Sequence, residues 1–121
     1  MKLAYQSLLA GVALTVSSLA LAAGELNLYN WGNYTSPKLI EKFEAETGIK
    51  VTITDYDSNE TALAKVRAGG HGFDLAVPSH SHLPIWVSED LIANPRVDQM
   101  PNFKNVAEEW RNPDWDPGRQ Y

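Results

Sequence analysis

The feature that most constrains this chain is a repeated exchange between period-two and helical spacing after residue 24. Leu26, Leu28 and Asn30 alternate with Asn27 and Tyr29, which predicts a short strand over residues 25–30. Ser36 and Pro37 mark a helix start. Leu39, Ile40 and Phe43 form an apolar stripe at helical spacing, and Lys38, Glu41, Lys42 and Glu44 are expected to face water. Gly48 stops that helix as a C-terminal cap. Ile49, Val51 and Ile53 alternate with Lys50, Thr52 and Thr54, predicting a second strand.

Asp57 and Glu60 have capping-box spacing, so a second helix is expected with Asp57 as its cap. Ala62, Leu63 and Val66 supply its buried side, and Gly69-Gly70 end it. Phe73, Leu75 and Val77 predict a third strand closed by Pro78. Residues 79–87 predict a short helix or helical turn carrying Leu83, Ile85 and Trp86, and Leu91-Ile92 one further short strand. Strands joined through helices of this length imply a parallel sheet with right-handed crossovers. The fold class is α/β, with helices on both faces of the sheet.

Residues 1–23 read as a signal peptide rather than as part of a fold. Lys2 supplies the positive start, Leu8 to Leu21 is apolar apart from Ser and Thr, and Ala20-Leu21-Ala22 offers small residues for cleavage after Ala22 or Ala23. A membrane anchor fits less well, because the apolar run is shorter than the ~20 residues of a bilayer span and no basic flank follows. Residues 24–93 read as the first part of a lobe and residues 94–121 as an incomplete connector. Pro95, Pro101, Pro113 and Pro117 break that connector, and only Val106 to Trp110 is expected to make a helical turn. Such a stretch is unusual inside a finished small domain, so the chain reads as the front of something longer, with a truncated fragment lacking activity of its own as the alternative.

The formal net charge is −5 and there is no cysteine. Acidity argues against nucleic acid, which needs a basic stripe, and without cysteine no disulfide staples the exported chain. No G-x-S-x-G elbow, zinc motif or cysteine nucleophile is present, so nothing points to an enzyme, and no cofactor is implied. His71, His80 and His82 raise a metal centre only weakly, since two positions apart on a helix do not face each other.

Trp31 and Tyr34 sit in the loop after the first strand, where open α/β sheets bind ligands. Their faces suit a cation, or else pack the loop onto the sheet.

Several separated patches fit one family. Leu28-Tyr29-Asn30-Trp31-Gly32-Asn33-Tyr34, Glu44 to Val51, Asp57-Ser58-Asn59-Glu60-Thr61, Gly72 to Ser79 and Pro101 to Val106 with Asp116-Pro117-Gly118 stand in order. Together they resemble the periplasmic polyamine-binding proteins, the spermidine/putrescine receptors of ABC importers, within the extracellular solute-binding proteins. The resemblance implies a periplasmic-binding-protein-like (type II) lobe, here with a partial sheet and truncated before the second lobe. It also implies a small cationic polyamine as ligand, an ABC inner-membrane permease as partner, a periplasmic location and a monomer.

On that resemblance the ligand-binding residues are Trp31, Gly32, Asn33, Tyr34, Ser79, His80 and Ser81. Polyamine receptors commonly carry an acid where Asn33 stands, so ligand identity is open: another amine-bearing solute fits as well. Ser81 stands where an aromatic is often found. Asp74 reads as structural and Trp86 as core, and Trp110 and Trp115 are expected to pin the connector.

Overall fold

The computed structural model describes residues 24–121, so the expected export signal lies outside the described residues. Strand β1 (Glu25–Trp31) leads into helix α1 (Pro37–Thr47), strand β2 (Lys50–Tyr56), helix α2 (Asn59–Arg67) and a brief strand β3 (Leu75–Ala76). A 3-10 turn (His80–His82) runs into α3 (Leu83–Ser88). The sheet order is β2-β1-β3, with both pairings parallel. Because β2 and β3 flank β1 on opposite sides, right-handed crossovers put α1 and α2 on opposite faces.

The ladder explains which side chains meet. Tyr29 pairs with Thr54 on one side and with Ala76 on the other, and Trp31 pairs with Tyr56. Paired residues of a parallel ladder point to the same face. That face carries the core: Tyr29, Tyr56, Ala62, Leu63, Val66 and Trp86, with Trp31, Phe73, Ala76, Leu91 and Ile92 against it. Trp86, at 1% exposure, is core as its sequence context predicts. Stacked Tyr29 and Phe73 rings, with centroids 4.2 Å apart, carry the core towards β3.

The opposite face is thinner. Leu28 pairs with Ile53 and with Leu75 there, yet Leu75 is exposed, as is Leu39 at 60%. The apolar stripe of α1 is therefore narrower than its spacing predicts, resting on half-buried Ile40 and Phe43. Glu44, expected in water, instead accepts the backbone N–H of Val51 at 2.7 Å and so joins α1 to β2. Gly48 adopts φ 71° and closes α1 as predicted.

Other expectations change. The cap of α2 is Ser58, not Asp57: its hydroxyl accepts the N–H of Thr61 at 3.1 Å. The third strand is shorter than predicted, and Leu91-Ile92 forms no strand but packs against the core. Residues 94–121 hold 3-10 turns at Val97–Gln99 and Phe103–Asn105 and a short helix α4 (Glu108–Arg111), more local structure than expected. Trp110, expected to pin the connector, is 54% exposed. Asp74 is structural as predicted, accepting the backbone N–H of Asn27 at 2.7 Å.

Candidate functional site

The C-terminal ends of β1 and β2 open onto a cavity of about 600 Å³. Its lining is Trp31, Gly32, Asn33, Asp55, Tyr56, Asp57 and Thr61. Ligands of open parallel sheets sit in this position, outside the carboxyl ends of the strands.

Asn30 builds the loop. Its side chain is buried. The carboxamide oxygen accepts the N–H of Trp31 at 2.8 Å, and the amide nitrogen donates to the Thr35 hydroxyl at 2.9 Å. A turn follows, with the N–H of Tyr34 donating to the Trp31 carbonyl at 3.1 Å. One side chain thus holds both ends of the segment that carries Trp31, Gly32 and Asn33.

Val77 anchors the aromatic wall. Its carbonyl accepts the Trp31 indole N–H at 3.0 Å and the Tyr56 hydroxyl as well. The Trp31 and Tyr56 rings meet at 4.7 Å between centroids. Burial pushes the Tyr56 phenol up to about 12, with Tyr29 and Tyr34 adding to the shift. Tyr29 is raised in the same direction, by burial first and by the charge of Asp57 second.

The remaining predicted residues are not among that lining. Tyr34 is 66% exposed and tilts towards Trp31 with centroids 6.0 Å apart, outside the cavity lining. Ser79 is clamped by Asn59, which accepts its N–H at 3.0 Å and donates to its hydroxyl at 3.1 Å. The His80 ring lies 5.7 Å from Trp115, and Ser81 meets His82 at 3.2 Å. Trp31, Gly32 and Asn33 therefore line the cavity, Tyr34 stands beside Trp31, and Ser79, His80 and Ser81 are not among its lining residues. Sequence reasoning missed Asp55 and Tyr56, although Asp55 interrupts the apolar alternation of β2. Asp57, expected as the cap, is free of that duty and lines the cavity. Among the described residues no three metal-ligating side chains converge.

Comparison with known proteins now bears on this geometry. No family model matches the chain. Over 94 residues it is 42% identical to the putrescine-binding periplasmic protein SpuD of Pseudomonas aeruginosa, covering 76% of this chain and 26% of that protein. The putrescine-binding periplasmic protein PotF of Escherichia coli is 40% identical over 104 residues, covering 84% of this chain and 28% of PotF. The solved structure of the spermidine/putrescine ABC transporter substrate-binding protein PotD from Streptococcus pneumoniae superposes with a TM-score of 0.76 at 34% identity, over 82% of this chain and 31% of that chain.

The chain is a homologue of the periplasmic polyamine-binding proteins. It spans 26–28% of the length of the two curated relatives above. The resemblance carried by the Trp31 loop and the strand ends is thus borne out. The α/β periplasmic-binding-protein fold is borne out too. These relatives are named as binding proteins rather than as enzymes.

Proposed function

We propose that this polyamine-receptor segment supplies one wall of an amine-binding cleft in the periplasmic substrate-binding component of an ABC importer. Putrescine or spermidine is the ligand, an inner-membrane permease the partner, and the receptor works as a monomer. Residues 1–23 direct export and are cleaved, residues 24–93 form the first part of the lobe, and residues 94–121 lead towards a hinge.

The observation that carries this reading is the composition of the cavity: two carboxylates, one amide and two aromatic rings, with no lysine or arginine. An ammonium group needs oxygen acceptors for its N–H donors, and the methylenes between ammonium groups need a flat apolar wall. Asp55, Asp57 and Asn33 offer the first, and Trp31 offers the second. Tyr34, Ser79, His80 and Ser81 belong to the cleft in this reading as outer contacts, reached when a second lobe closes on it. Isothermal titration of the full encoded protein with putrescine and spermidine tests it. Saturable binding is expected, and absence of heat and of any thermal shift at millimolar ligand overturns it.

A further inference from the structure

We propose that Asp55 is the anionic anchor of the Trp31 cavity: its carboxylate takes one ammonium group of a diamine, a charge that Asn33 does not provide. The inference rests on the amine reading above and deepens it.

Three observations support the assignment. First, Val51 and Ile53 form a period-two apolar row on β2, and Asp55 stands where the next apolar residue would fall. Aspartate is among the poorest strand residues, so the position is not explained by strand formation. Second, the Asp55 carboxylate lies against the loop: its Oδ2 is 3.5 Å from where a Cβ on Gly32 would sit. The ladder pairs Asp55 with Asn30, directly before Trp31. Third, Asp55 has no ion-pair partner among the described residues, whose pairs are Lys42–Glu46, Lys50–Glu44, Arg67–Glu89, His82–Glu60 and Arg96–Asp98.

An ammonium group seated here donates to Asp55 and to the Asn33 carboxamide oxygen, with its first methylenes along Trp31. Asp57, which also lines the cavity, adds negative potential to it. The cavity is open, so solvent screens the pair and the expected effect is moderate, roughly three- to tenfold in affinity.

The test compares putrescine affinity of the full encoded protein with that of D55N, D55E and the double variant N33D/D55N. D55N is expected to lose roughly three- to tenfold in affinity. D55E, which keeps the charge, is expected to retain binding, and N33D/D55N to recover it by returning a carboxylate to the same cavity. A merely structural Asp55 would not be rescued from the loop. Unchanged affinity in D55N overturns the inference while leaving the amine reading standing, as does a loss that N33D fails to restore. Absence of putrescine binding in the unsubstituted protein overturns both. Should D55N fail to fold, D55S takes its place: a loss of roughly three- to tenfold in affinity supports the assignment, and unchanged affinity overturns it.

Discussion

The phenol of Tyr56 donates its hydrogen to the backbone carbonyl of Val77, the same oxygen that accepts the indole N–H of Trp31. Two aromatic side chains from neighbouring strands are therefore fixed by one acceptor just beyond the third strand. The wall of the cavity is built outward from buried Tyr56.

Replacing Tyr56 with Phe removes that donor and is expected to destabilise the fold by about 1 kcal/mol. The substitution also carries a pH signature. The Tyr56 phenol is raised to about 12 from 10.0. Its contribution is intact below the unfolded value and is lost as pH rises through the folded value. Thermal melts between pH 9 and 12 are expected to show an alkaline fall that is shallower in Tyr56→Phe. Part of the fall persists there, because Tyr29 is raised as well.

Asn30→Ala leaves the N–H of Trp31 and the hydroxyl of Thr35 without their partner. A loss of about 1–3 kcal/mol is expected. The binding consequence exceeds the stability consequence, since the released segment carries Trp31, Gly32 and Asn33. Amine titration of the variant at a temperature where it remains folded separates the two effects.

Trp31→Phe keeps a flat wall but removes the indole donor to Val77. A modest loss of stability, about 1 kcal/mol, is expected with amine affinity largely kept. Trp31→Ala removes the wall itself and is expected to weaken amine binding further than Trp31→Phe. Parallel melts and titrations of the two variants distinguish anchor from wall.

Ser58→Ala and Asp57→Ala separate cap from cavity. The Ser58 variant is expected to lose about 1 kcal/mol of stability, since its hydroxyl satisfies the first turn of α2. Asp57→Ala is expected to keep the cap, to lower amine affinity, and to relieve the upward push on Tyr29. Chemical denaturation and amine titration of both variants check this division.

What the sequence made legible follows from how local each signal is. Gly48 ends α1 because only a residue tolerant of positive φ closes that turn, and such a requirement is visible in one letter. Period-two spacing located β1 and β2 because Leu26, Leu28, Val51 and Ile53 are half-buried along one face of the sheet. The cap of α2 was misplaced by one residue, since Asp57 and Ser58 are both good caps and the choice depends on backbone geometry at the end of β2. Leu39 carries an apolar signal, but it is 60% exposed.

The cavity was half legible for the same reason. Trp31, Gly32 and Asn33 are contiguous and follow a recognisable strand. Asp55 and Tyr56 reach that loop only through the β1–β2 ladder, and periodicity does not state which strands are neighbours. Asn59 and Ser79 are twenty residues apart and meet only once α2 folds over the sheet.

The account is tested most directly by titrating putrescine into the full encoded protein while recording backbone amide and indole N–H resonances. Saturable shifts centred on residues 31–33 and 55–57, with the Trp31 indole among them, are the predicted result. Binding that leaves those residues unmoved, or no binding at millimolar amine, contradicts it.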